Sequence, residues 1–282
     1  MPQAQPLLEV DHLAVEYPGR GRRSGFRALE DISFAIRPGE TLGLVGESGS
    51  GKTTIGRAIL GLVKPTEGKI RFDGADITHA GRSQRQTLSR DIQVVFQDPY
   101  TSLNPSMTVE DILAEPLGVQ GWARKDALAR VRGLLDRVHL PADAGARLPR
   151  EFSGGQRQRI AIARAIAIEP RLIVCDEPVS ALDLTTQARV LDLFTEIQEA
   201  TGVSYLFVSH DLAVIRHISH NVIVLFKGKI VEHGRAAQVT AEPRHPYTQR
   251  LFMSAPVPDP KLQRERREAR RKLTVTGKEQ AA

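Results

Sequence analysis

Three patterns in the sequence predict an α/β fold with a mostly parallel sheet. From residue 41 onward the runs "TLGLV", "IQVVF", "LIVC", "SYLFVS" and "NVIVLF" are continuously apolar, as strands buried on both faces of a helix-flanked parallel sheet are. Upstream, Leu8, Val10, Leu13 and Val15, then Ile32, Phe34 and Ile36, alternate with polar residues, which predicts half-buried antiparallel strands. Between "VVFQ" and "LIVCDE" no strong strand pattern occurs, while Leu128, Val131, Leu135 and Val138, and then "GGQRQRIAIARAIAI", repeat at helical spacing. A helical subdomain inserted at about residues 98–168 is expected there.

Taken in chain order, an N-terminal antiparallel β subdomain with a loop at "PGRGRRSG" leads into the α/β core and its helical insert. The core domain is expected to span residues 1–235. Pro243, Pro246, Pro256, Pro258 and Pro260 and the charged run "KLQRERREARRK" mark 236–282 as a C-terminal extension with little core of its own.

A chain of 282 residues buries a full core without covalent staples. Its one cysteine, Cys175, excludes an internal disulfide framework and a multi-thiolate cluster. "MPQAQPLLEV" lacks the pattern of a signal peptide, and no run of about 18 apolar residues occurs, so a soluble protein carried to any membrane by a partner is expected. The net charge of +6 sits in the tail: residues 261–282 hold eight basic and three acidic side chains, +5, which leaves the body at +1. No basic face for nucleic acid is implied.

The stretch "GLVGESGSGKTT" fits G-x-x-x-x-G-K-[ST] through Gly46, Gly51, Lys52 and Thr53. A loop without β-carbons wraps backbone N–H groups around an anion, and the following helix points its positive end there. The implied ligand is a nucleotide triphosphate tail. Alone this leaves kinases, GTPases and motors open. In "RLIVCDEP", four apolar residues deliver Asp176 and Glu177 to a strand end, where one carboxylate serves magnesium and the next an attacking water. In "EFSGGQRQRIAIARA", Ser153, Gly154 and Gly155 open a helix and build a second anion site.

In their order and spacing over roughly residues 7–235, these stretches resemble the nucleotide-binding subunits of ABC transporters. "GESGSGKTT" is similar to Walker A, "VFQDP" to the Q-loop, "FSGGQ" to the signature with Phe152 for the commoner leucine, "LIVCDEP" to Walker B, "SALD" to the D-loop and "FVSHD" to the switch histidine. The resemblance implies a P-loop NTPase (RecA-like) core, ATP and Mg²⁺, and a head-to-tail dimer in which one subunit's signature covers the other's ATP. Tyr17 is then expected to stack on adenine, and Gly46, Glu47, Ser48, Gly49, Ser50 and Gly51 to cradle phosphates. Lys52 would lie between the β- and γ-phosphates and Thr54 near the α-phosphate. Thr53, Gln97 and Asp176 are the expected magnesium-side residues; Glu177 is the general base, with Gln97 and His210 reading the water and γ-phosphate. Ser153, Gly154, Gly155 and Gln156 act across the dimer, and Asp183 lines the seam.

Two further stretches, "QDPYTSLNPSMTV" and "HPYTQRLFMSAPVPDP", resemble the ATPase subunits of dipeptide, oligopeptide and nickel importers. The long loop after Tyr17 resembles the second of the two ATPases such systems encode. The implied partners are two membrane permeases, a second, different ATPase and an extracytoplasmic solute-binding protein, with this chain peripheral on the cytoplasmic face of the membrane. Tyr100 and Leu103 are expected on the permease-facing surface. No cysteines stand near the proline-rich end, so no iron–sulfur cluster is expected. The competing readings are an ATPase of another ABC branch, for metals or drugs, a soluble ABC protein acting on nucleic acid, and a nucleotide-dependent module without turnover.

Overall fold

The computed structural model describes residues 5–19 and 25–254. The expected loop beyond Tyr17 and the basic tail fall largely outside them. The chain opens with β1 (Leu8–Tyr17), β2 (Phe26–Ile36), β3 (Thr41–Val45), α1 (Lys52–Ile59), β4 (Glu67–Phe72) and β5 (Ala75–Asp76). It continues through α2 (Arg82–Asp91), β6 (Ile92–Val95), α3 (Pro99–Ser102), α4 (Val109–Val119), α5 (Arg124–Arg137) and α6 (Gly154–Ile166). It closes with β7 (Leu172–Asp176), α7 (Leu184–Thr201), β8 (Ser204–Val208), α8 (Leu212–Ile218), β9 (Asn221–Phe226), β10 (Lys229–Arg235), α9 (Ala236–Ala241) and α10 (Pro246–Ser254).

The antiparallel sheet has the order β2-β1-β4-β5. In β1, Leu8 and Val10 share one parity and Leu13 and Val15 the other, yet all four are buried. The register shifts between Val10 and Leu13, and His12 has a positive φ of 47°. One extra residue in a bulge flips the alternation and returns the later pair to the core face. Asp31 on β2, also at positive φ, sits across the bulge with its carboxylate 2.6 Å from His12 Nδ1.

The second sheet has the order β10-β9-β3-β8-β7-β6, with β9, β3, β8, β7 and β6 parallel and β10 antiparallel at the edge. All five residues of β3 and of β8 are buried, as continuous apolar runs require. One apolar cluster fills the space between this sheet, α1 and the antiparallel sheet; the other joins its opposite face to the helices, α4 to α9 included. Phe194 on α7 is the aromatic hub of the second cluster, meeting Tyr205 and Phe207 edge-on at 5.4 Å each. Tyr205 spends its hydroxyl on the Phe194 carbonyl at 3.1 Å, so the buried phenol is satisfied.

Helices α3 to α6 form the expected insert between β6 and β7. α5 buries Ala127, Val131, Leu134 and Leu135, and Val138 closes the stripe, with Leu128 only half-buried. Phe152, in the place of the signature's commoner leucine, is 4% exposed, with the Arg147 guanidinium 4.4 Å over its ring. This is a packing position that an aromatic fills.

One expectation needs correction. Leu103 is 2% exposed and belongs to the main core cluster, so it cannot form a docking surface; a short turn placed against α6 buries the residue that follows it. Tyr100 does stay exposed, stacked under the Arg157 guanidinium of α6 at 4.1 Å. Of the C-terminal extension, the described residues 236–254 pack onto the body, with Ala236, Val239 and Tyr247 buried in the main cluster.

Phe194→Ala removes the hub and leaves a cavity between α7 and β8. We expect a loss of roughly 3–5 kcal/mol, read as a lower urea midpoint with an unchanged slope.

Candidate nucleotide site

Parallel strands release their C-terminal ends at one edge, and many of the polar residues singled out above gather there. β3 ends into the glycine-rich loop, β7 into Asp176 and Glu177, β8 into Ser209 and His210, and β6 into the segment carrying Gln97. A cleft of about 230 Å³ opens at this edge, lined among others by Tyr17, Phe26, Ser48, Lys52, Thr53 and Glu177. A larger hollow lies elsewhere, between Phe34, Arg37, Asn221 and His233, and shares none of these side chains.

The loop owes its path to close backbone approach. A β-carbon on Gly46 would lie 2.2 Å from the Leu225 carbonyl oxygen, so no other residue fits. Lys52 opens α1 and is 5% exposed; its ammonium donates to the carbonyls of Gly46 at 2.7 Å and Glu47 at 2.9 Å. Burial lowers its pKa, against the pull of Glu177, Asp176 and Glu47. The Ser50 hydroxyl is buried in the same loop without a protein partner. A cationic, donor-rich cradle with an unmatched hydroxyl fits a phosphate chain.

The acidic side is equally specific. The Thr53 hydroxyl donates to Asp176 Oδ1 at 3.2 Å. Burial raises the Asp176 carboxyl above its ordinary range, and the Thr53 hydrogen bond only partly reverses this. Glu177 adopts the left-handed region, φ 50°, uncommon for a residue with a β-carbon, and its N–H donates to the Val208 carbonyl at 3.0 Å. His210 Nδ1 lies 2.9 Å from Glu177 Oε2. With Nδ1–H donated to the carboxylate, Nε2 stays available to a second partner. Gln97 is exposed two residues beyond β6.

Tyr17 and Phe26 stand opposite one another at the paired ends of β1 and β2 and form the cleft's aromatic mouth, with Tyr17 OH 3.5 Å from Thr54 Oγ1. Sequence reasoning missed Phe26; its signal was an aromatic opening the strand paired with the one that ends at Tyr17.

Ser153, Gly154, Gly155, Gln156 and Asp183 do not line this cleft. Ser153 and Gln156 instead form a reciprocal capping box at α6: the Ser153 hydroxyl accepts the Gln156 N–H and the Gln156 side chain accepts the Ser153 N–H. Gly155 packs against α7 so tightly that a β-carbon would lie 2.2 Å from Thr186 Cγ2. Asp183 caps α7 through the Thr186 N–H at 3.0 Å. The starts of α6 and α7 are therefore one joined surface, apart from the cleft.

This fold and cleft define a P-loop NTPase core with a helical insert. A family model described as ABC transporter matches residues 29–180, and one described as the oligopeptide/dipeptide transporter C-terminal region matches 231–279. The chain belongs to the ABC transporter family and is an ATPase of it. It is 49% identical over 262 residues to a putative peptide import ATP-binding protein of Brucella ovis, covering 93% of this chain and 82% of that one. It is 47% identical over 274 residues to a glutathione import ATP-binding protein of Salmonella paratyphi A, covering 94% of this chain and 44% of that longer one. Among solved structures it is similar to cbiO1 from Clostridium perfringens, part of the ABC transporter complex cbiONQ, with TM-score 0.75, 27% identity and coverage of 84% and 91%. It is also similar to the ATP-binding cassette MJ0796, solved as a dimer in a post-hydrolysis state with ADP and Pi, with TM-score 0.73, 29% identity and coverage of 81% and 98%.

Asp176→Asn tests the cost of the buried carboxyl. Below the unfolded value of 3.8 both states hold the proton; between that and the raised folded value only the native state does, so stability falls as pH rises. Above both, the penalty is complete. Asn carries no charge and still accepts from Thr53, so Asp176→Asn should resist urea better than the parent at pH 7 in metal-free buffer, with the gain shrinking as pH falls toward 4.

Proposed function

We propose that this chain hydrolyses ATP to drive import of peptides or similar small solutes through membrane permeases. The observation that carries the catalytic part is the Glu177–His210 pair facing the phosphate cradle at one sheet edge. The solute class is supported by the match over residues 231–279 and by the names of the relatives.

In this reading Tyr17 and Phe26 hold the adenine, while Gly46 to Gly51 and Thr54 hold the phosphate chain. Lys52 neutralises charge on the β- and γ-phosphates. Thr53, Asp176 and Gln97 offer a hard-oxygen set that fits Mg²⁺, an ion usually held by one or two carboxylates together with substrate phosphates. When bound, the ion neutralises charge growing on the phosphate oxygens. Glu177 takes a proton from water as the water oxygen bonds to the γ-phosphorus; the bond to the β–γ bridging oxygen breaks and ADP leaves with the electron pair. His210 holds the base in place.

Because the α6 start lies off the chain's own cleft, the reading continues with a second subunit whose Ser153-type turn completes the site. The partner proposed is a different ATPase, on permeases fed by an extracytoplasmic binding protein, with this chain on the cytoplasmic face. No helix among the described residues is long and apolar enough to cross a membrane.

Glu177→Gln should keep ATP binding while hydrolysis in the full complex falls about 10²–10⁴-fold; parental turnover would remove Glu177 from the role of base. Lys52→Ala and Ser153→Arg separate the two halves of a composite site. Each should be inactive alone. Mixed together they should regain part of the activity if the dimer is made of identical chains, and none if each chain pairs only with a different ATPase, which is the outcome we expect in reconstituted membranes.

A further inference from the structure

Helix α10 follows every nucleotide motif in the chain, yet it reaches back to the phosphate loop. The Tyr247 hydroxyl accepts the backbone N–H of Glu47 at 3.0 Å. Tyr247 is 3% exposed, and its ring lies against Phe226 at the end of β9, centroids 4.1 Å apart. The approach to the helix is fastened to β10, because one Glu232 carboxylate takes the N–H of Arg244 at 2.8 Å and of His245 at 3.0 Å. His245 Nδ1 then accepts the N–H of Tyr247 at 3.2 Å. On the loop side, the Glu47 carbonyl is held by Lys52 at 2.9 Å. Both backbone polar groups of Glu47 are thus fixed, one by the phosphate-loop lysine and one by α10.

We propose that Tyr247 is a positioning residue for ATP: by holding the Glu47 N–H it fixes the outer limb of the phosphate loop in its nucleotide-binding shape. A glycine-rich loop loses much conformational freedom when it orders around phosphates. A tether from a packed helix restricts that freedom beforehand, so less is lost on binding. The stacked ring and the Glu232 anchor keep the hydroxyl from wandering. Burial raises the phenol's pKa, so a neutral group stands beside the anionic ligand. The contact gives the C-terminal element a stake in nucleotide affinity although it supplies no group to the cleft lining.

The proposal rests on residues 46–54 being the ATP cradle, and the test separates the two. Tyr247→Phe in the full chain keeps the ring and removes one oxygen. The dissociation constant for Mg-ATP, by calorimetry, and KM for ATP in the permease complex should rise about three- to tenfold, with kcat at saturating ATP unchanged. Glu232→Ala, which loosens the approach to α10 without touching the loop, should shift affinity in the same direction. Parental affinity in Tyr247→Phe, or a fall in kcat with affinity unchanged, overturns the positioning role. If Lys52→Ala loses ATP while Tyr247→Phe binds like the parent, only that role fails; if Lys52→Ala also binds like the parent, the cradle itself is misplaced and the proposal falls with it.

Discussion

The parallel ladder joining β3, β8 and β7 is the constraint on which the site depends. Leu44 pairs with Val208, Asp176 pairs with Val208, and the Glu177 N–H closes the last rung on the Val208 carbonyl. These strands are buried on both faces, so their side chains pack and cannot do chemistry. Only where the ladder stops does the backbone turn outward, and there it delivers the loop, the carboxylates and the histidine within reach of one another. Shifting β7 by one residue would put Glu177 or Cys175 in the place of Asp176 and turn every apolar side chain of the strand to its other face.

Local order at that edge works against stability. Lys52 and Asp176 are both held where burial disfavours their charged forms, and Glu177 occupies a backbone region that costs about 1 kcal/mol or more. Each offsets part of the other's cost, since the ammonium and the carboxylates face the same small volume. The aromatic hub at Phe194 and the dry strands beneath supply the rigidity that keeps such a set from relaxing. The starts of α6 and α7 show a different economy: their polar groups are spent on helix caps, which fixes their shape without burying charge.

Much of this was legible in the sequence because its signals are local. The glycine–lysine loop, the apolar run into Asp176 and Glu177, and the serine before two glycines each carry their geometry within a dozen residues. The parity change between Val10 and Leu13 was visible as a pattern, but the bulge at His12 that reconciles it is a property of two strands together. Leu103 was misplaced because nothing within a four-residue turn tells which side packs against α6. Phe26 and Tyr247 were missed for the same reason at longer range: the first depends on strand pairing with Tyr17, the second on a contact to Glu47 across a sequence separation of 200 residues.

Cys175 is the chain's single thiol; it is wholly buried in β7, and burial pushes its pKa well up. It is therefore silent toward the reagents that attach spectroscopic labels to exposed thiolates. A cysteine introduced at the surface, for example beside the capped start of α6, becomes the sole reactive position without any alteration of the native residue. The approach of one cassette to another can then be followed by fluorescence or spin-label distances in the otherwise unmodified protein, so the architecture that protects the sheet also leaves the surface clear for observation.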